Sequence, residues 1–314
     1  MRFSKAHVCG FILTAAVALA SPASPAQEAR PPQWSSDVLD TFFDDAREKL
    51  EGQRPDYGSG SSSQAAETVI QPTGDRASDA PSFAWSKIVS SETLESEIKR
   101  LGQSLGKSVT TASAFKGGGF KDARRDFGEL AILFAVTAQY DGDARWKDTA
   151  AGWRDAFARA AANAKIGSDA TYREASARKQ DLADLVRGGR PQVAKADAAV
   201  EDWSQVAARP PLMQRLDVAH QERLLKWLSD ANSFRRNQAD IMHEAQIVAL
   251  LANVIHRREY EYWDDDTFAG YANDLQKAAS DVAAAAASDN YQQARESIGR
   301  ATNACADCHD GYRG

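Results

Sequence analysis

From Thr93 onward, apolar side chains recur at spacings of three and four almost without a break, and that rhythm commits the chain to helices. Leu94, Ile98, Leu101 and Leu105 form one stripe, and Phe127, Leu130, Ile132, Leu133, Phe134 and Val136 a more buried one. Trp153, Phe157 and Ala160 mark a third helix, and Leu182, Leu185 and Val186 a fourth. Asp141-Gly142-Asp143 and Ser168-Asp169 read as helix starts, and Gly188-Gly189 as a stop. Ala is abundant and β-branched runs are scarce, which again favours helix over sheet.

A second set of four follows. Met213, Leu216, His220, Leu224 and Trp227 share a stripe on a helix placed at about Leu212 to Leu228. Ile241 to Ile255 is strongly apolar, Asp264 to Asp266 with Thr267 start a third helix, and Ser288-Asp289 a fourth. The two sets repeat: Phe115 matches Phe234 and Tyr172 matches Tyr291 at an offset of 119, and Trp146 matches Trp263 at 117. Four amphipathic helices on short connections pack most simply as an antiparallel bundle. The expected fold is therefore all-α, with two tandem antiparallel four-helix bundles at 86–190 and 211–314. The linker between them, 191–210, has room for a helix over Val193 to Ala207.

The N-terminal region reads differently. Arg2 and Lys5 precede a short apolar run, Val8 to Ala20, and small residues follow, with Ala26 or Ala20 as the last before cleavage. Residues 1–26 thus resemble a signal peptide, which implies an exported, periplasmic-type location with no membrane span after cleavage; an uncleaved anchor is the competing reading. Cys9 stands at the start of the apolar run rather than after it and does not resemble a lipoprotein cysteine. Residues 27–85, rich in Ser, Gly and Pro, read as a poorly ordered linker. A net charge of −6 argues against nucleic acid as a partner.

Removing Cys9 leaves Cys305 and Cys308, in the run Cys305-Ala306-Asp307-Cys308-His309. This is the pattern for covalent attachment of a c-type haem: two thiols three apart reach both vinyl groups, and the adjacent His lies under the iron. Chance gives such a run in a chain of this composition about five times in ten thousand. A thioredoxin-type disulfide would need a βαβ context. Half a zinc site would need further ligands, and only His220, His243 and His256 stand nearby in sequence. One haem with its iron is expected, held by Cys305, Cys308 and His309. At offset 119 the first bundle carries Val186, Gly189 and Arg190 instead, so it lacks that chemistry.

The run "IGRATNACADCHDGYRG", with the motif in the last helix and Tyr312-Arg313 just after it, resembles the class II c-type cytochromes, typified by cytochrome c-prime. The likeness spans about Leu212 to Gly314. It implies a haem between helices at one end of the second bundle. It also implies that the first helix of that bundle presents to the iron either a bulky apolar side chain or a ligating Met. Met213 is then the candidate sixth ligand and His220 its rival, unless both merely pack; Met242 is a weaker candidate. Arg313, four residues after His309, could screen a propionate or simply be solvated at a helix end. The family's dimerisation through its first two helices implies a homodimer, unless the tandem copy takes that surface. One-electron transfer with a redox partner protein is the leading function. Binding of a diatomic gas such as NO at five-coordinate iron is the alternative. A peroxidase using His220 with Arg215 or Arg223 ranks last.

Overall fold

The computed structural model describes residues 83–313, and every regular element among them is helical. The signal-peptide reading and nearly all of the linker expected at 27–85 lie outside the described residues. The first bundle consists of α1 (Ser91–Ser108), α2 (Phe120–Ala138), α3 (Lys147–Asn163) and α4 (Asp169–Val186). They pack in a closed ring, α1 on α2, α2 on α3, α3 on α4 and α4 back on α1. The second begins with α5 (Arg209–Asp217), which continues through a π-helical turn, Val218–Leu224, to Leu225–Trp227. It goes on with α6 (Gln238–Val254), α7 (Asp266–Ala287) and α8 (Tyr291–Tyr312). Here α6 packs on α7, α7 on α8, and α6 on α5 and its π turn.

Local chemistry explains most helix ends. Ser168 accepts from the Thr171 backbone N–H while Thr171 Oγ1 accepts from the Ser168 N–H, a reciprocal cap. Asp265 accepts from the N–H groups of Thr267 and Phe268 and starts α7. Gly188, at φ 90°, stops α4 in the left-handed conformation that costs glycine least. Two expected starts are displaced. Asp141 is taken by Ser86, whose N–H and hydroxyl donate to it at 2.8 and 2.6 Å, so α3 begins only at Lys147. Asn290 rather than Ser288 caps α8, because the Ser288 hydroxyl donates back to the Ala284 carbonyl.

The linker does not form the helix expected over Val193 to Ala207; only Trp203–Val206 makes a turn. Its carbonyls are satisfied by the first bundle instead. Gln139 Nε2 donates to Ala198 O at 3.0 Å and Arg154 Nη1 to Ala199 O at 3.0 Å. Gly152 makes room for this, since a Cβ there would lie 2.2 Å from the Ala194 carbonyl oxygen.

The repeat is visible in contacts. Phe115 and Tyr172 meet at 5.8 Å and 57°, and Phe234 and Tyr291 at 5.6 Å and 50°. A further pair escaped the sequence reading. Tyr140 donates to Val89 O at 3.0 Å and Tyr260 to Ala207 O at 2.7 Å, each tying the segment after a bundle's second helix to the residue before the N-cap of its first. Trp146 and Trp263 diverge, the former packed on Phe134 and the latter 43% exposed.

The halves meet reciprocally: α2 packs on α5, and α6 on α1. This is the pattern of an isologous contact. Residues near its axis meet their own counterparts. Trp85 contacts Trp203 at 5.9 Å, with the Arg257 guanidinium over both rings at 4.5 and 4.9 Å.

At the centre of this contact Arg215 is buried among three carboxylates. Its Nε donates to both oxygens of Glu129 (2.8 and 2.9 Å), Nη2 to Glu97 (3.0 Å) and Nη1 to Glu244. Arg100 and Arg223 donate to the other oxygen of Glu244, at 3.1 and 2.7 Å. Burial opposes ionisation of Glu97, but the His243 hydrogen bond and the charges of Arg215 and Arg100 outweigh it and hold the carboxyl well below its usual range. Glu244 is lowered in the same way, its burial outweighed by Arg215 and Arg223. Glu129 goes the other way: its burial, reinforced by repulsion from Glu97, Glu244 and Asp126, outweighs the pull of Arg215 and raises it. His243, expected at the surface or in a cap, is buried and donates from Nε2 to Glu97 at 2.7 Å.

Removing one partner from such a cluster strands buried charge. Arg215→Met should lower the unfolding free energy by about 3–5 kcal/mol in urea titrations near neutral pH. Glu97 and Glu244, whose carboxyls are depressed, contribute stability that is fully present above the ordinary glutamate range and lost progressively as pH falls below it toward their depressed values. The deficit of Arg215→Met should therefore shrink in acid.

Candidate functional site

A cleft of about 250 Å³ opens between α5 with its π turn, α6, α7 and α8. Its lining is mostly apolar, with Leu216, Leu224, Val248, Leu275, Val282 and Ile298 among the residues on its walls. From α8, Cys305, Cys308 and His309 border it, and from α5 and the π turn, Met213 and His220. The structure thus brings Cys305, Cys308, His309 and both candidates for the sixth position, Met213 and His220, to one cleft. Arg313 is not among its lining residues. It is the C-cap of α8 and is exposed to solvent. Met242 packs against the core but does not line the cleft either.

The end of α8 is held in place by aromatic packing. Tyr312 stands edge-on to Tyr262 at 5.1 Å and to Phe268 at 5.3 Å, and donates to Asp265 at 2.9 Å. That contact pins the turn carrying Cys308 and His309 to the start of α7. Both cysteines are free thiols. Burial pushes the Cys305 thiol up to about 11, and burial also raises Cys308, with Arg209 pulling against it.

His220 has both ring nitrogens engaged. Gln221 donates to Nδ1 at 3.0 Å, so the proton sits on Nε2, which donates to Thr302 Oγ1 at 2.8 Å. Thr302 passes its own proton to Ile298 O at 2.9 Å. The other two histidines considered as zinc ligands are directed elsewhere, His243 to Glu97 and His256 to the Ala252 carbonyl. They do not converge on the cysteines. Arg215 and Arg223, weighed as distal groups of a peroxidase, are both directed to Glu244 and away from the cleft.

One residue escaped the sequence reading. Arg209, one helical turn before Met213, lays its guanidinium over Phe268 at 5.0 Å and Tyr262 at 5.6 Å, close enough for its charge to act on Cys308. Its Nε is buried without a hydrogen-bond partner among the described residues. The signal was there in the spacing of four from Met213, but two prolines directly after Arg209 make the position look like a loop.

Residues 256–313 match the family model of cytochrome c′. The matched stretch runs from the end of α6 through α7 and α8, and contains the cysteine pair and His309. The C-terminal region is thus cytochrome c′-like, the part of the chain on which the resemblance was read. No curated protein and no solved structure matches the chain. The donor set fits the haem that this family implies. Two thiols three apart and an adjacent imidazole lie on one wall, and apolar surface lines the rest.

The corresponding end of the first bundle carries a cleft of another kind, about 940 Å³, with Trp146, Trp153, Leu185, Gly189 and Arg190 among its lining residues. The interior of that bundle is filled by aromatic side chains. Phe157 stacks on Phe134 at 5.4 Å and on Phe127 at 6.0 Å, with Trp153 at 5.9 Å. The aligned stretch of α7 carries Ala272 and Leu275, and there the space is left open.

Burial lowers the pKa of His220 below its ordinary 6.5, against a weaker pull from Asp217. Below about 6.5 the unfolded chain takes up a proton that the folded one resists, so stability should fall as the pH drops through this range. Denaturant midpoints between pH 5 and 7.5 should show a shallower pH slope in His220→Gln than in the parent protein.

Proposed function

We propose that the protein is an exported monohaem c-type cytochrome that transfers single electrons to and from a redox partner protein. The observation that carries this reading is the shared cleft, with Cys305, Cys308 and His309 on α8 and Met213 on α5. When bound, haem supplies an iron that changes by one electron between ferric and ferrous. Cys305 and Cys308 would hold it as thioethers, and His309 would be the proximal ligand.

Met213 is the better candidate for the sixth position. His220 carries its proton on Nε2 and accepts from Gln221 with the lone pair of Nδ1, so neither ring nitrogen is free without breaking a hydrogen bond. The Met213 thioether has no such commitment, and a thioether ligand raises the potential of haem iron. Arg209, whose charge acts on Cys308 although it donates through Nη2 to the Glu261 carbonyl and does not line the cleft, is a second candidate beside Arg313 for an anionic group such as a propionate. The α5–α6 face is covered by α1 and α2 of the same chain, which argues for a protein that works without a homodimer through that face. Export rests on the basic and apolar run at the N-terminus. Among the described residues no helix is long and apolar enough to cross a membrane.

Produced in a host with haem-attachment machinery, the protein should carry one haem that survives acid–acetone extraction, and replacing both Cys305 and Cys308 with Ala should release it. Haem-free mature protein from such a host refutes the reading. Met213→Leu should convert a low-spin oxidised spectrum to high-spin and open the ferrous iron to carbon monoxide. A parent spectrum that is already high-spin moves gas binding ahead of electron transfer.

A further inference from the structure

We propose that Glu97 and Glu129 of the haem-less bundle are positioning residues for the haem site: through Arg215 they set the placement of α5, and with it the environment of the iron's distal face. This rests on the reading of the cleft as a haem site. It gives the first bundle a part in the chemistry although that bundle contributes no residue to the cleft lining.

Met213 and Leu216 line the cleft, while Arg215, between them in sequence, points out of its back into the contact between the bundles. Three hydrogen bonds from this one guanidinium reach the first bundle, two to Glu129 on α2 and one to Glu97 on α1. A guanidinium is a planar fork, so three directed bonds fix the rotation of the side chain as well as its depth. α5 has nine residues before its π turn, too few to hold its own register by helix propensity. Its orientation must therefore come from what it packs on.

The π turn sharpens the coupling. Arg215 and Arg223 are eight residues apart, which in a regular helix points them about 80° away from each other. The wider turn at Val218–Leu224 takes up the extra residue, and both arginines reach Glu244, on its two different oxygens. His220 and Leu224 lie within the same turn and line the cleft. The ionic face and the cleft face of this segment are thus set together. A shift of Arg215 cannot be absorbed without moving Met213 or Leu216.

The test uses the haem-loaded full chain, with haem content checked by the pyridine haemochrome. Glu97→Gln and Glu129→Gln keep the shape of each side chain; the first removes a charge, and the second replaces one of the two oxygens that accept from Arg215 Nε with an amide donor. Both should change the carbon monoxide affinity of the ferrous protein by about 2- to 30-fold and displace the reduction potential. Phe157→Leu, in the aromatic core of the same bundle but outside the ionic cluster, serves as a control for lost stability and should leave both readouts at the parent values. Equal effects from Phe157→Leu, or parent-like values in both glutamine variants, overturn the proposal. Should the glutamine variants not fold, amide exchange of the parent protein decides: residues 209–217 should open together with α1 and α2, and independent opening overturns it. Absence of bound haem in the parent protein is a separate failure, that of the haem reading itself.

Discussion

Arg215 places one guanidinium where three carboxylates from three helices converge, and the described fold is arranged around keeping that meeting satisfied. Taking these charges out of water is costly, and their mutual attraction makes up for it only if every donor finds an acceptor. Here Nε, Nη1 and Nη2 all do, and the free oxygens of Glu97 and Glu244 are covered by His243, Arg100 and Arg223. An apolar seam between the same helices could hold them as firmly, but it would tolerate sliding. A directed fork does not. The reciprocal packing of α2 on α5 and α6 on α1 supplies the area, and the cluster selects one register within it.

The same helix then has to serve two surfaces of opposite chemistry. Its back is ionic and its front apolar, and the π turn lets both stay continuous as α5 runs on to Trp227. The two bundles part company over what fills their interior. Phe127, Phe134, Trp153 and Phe157 close one, while smaller side chains on α7 leave the other open beside Cys305 and Cys308. The contrast is one of volume more than of topology, which is why the repeated tyrosine contacts survive in both halves.

Most of this architecture is written locally. The eight long helices follow from apolar spacing, and the attachment motif from five adjacent residues. The Phe–Tyr correspondences follow from comparing the chain with itself. What stayed hidden depends on partners far away in sequence. Arg215 sits on a helix like any solvated arginine, and nothing beside it announces Glu97, 118 positions earlier. His243 looked like a surface residue for the same reason. Asp141 looked like a cap because its rival donor, Ser86, is 55 residues away. The helical linker failed since side chains of the bundle supply the hydrogen bonds that a helix would have made internally. Arg209 was masked by the prolines that follow it, though proline in a first helical turn is ordinary.

The reciprocal contact also bears on how such a protein can change. In an assembly of two identical chains every substitution appears twice, so a side chain that fills one interior fills both. Joining the halves in one chain removes that constraint. One copy can fill its interior with aromatic side chains while the other leaves an apolar cleft beside its cysteines, and their association no longer depends on protein concentration. The asymmetry between Trp153 and Ala272 is a difference that two identical subunits could never hold.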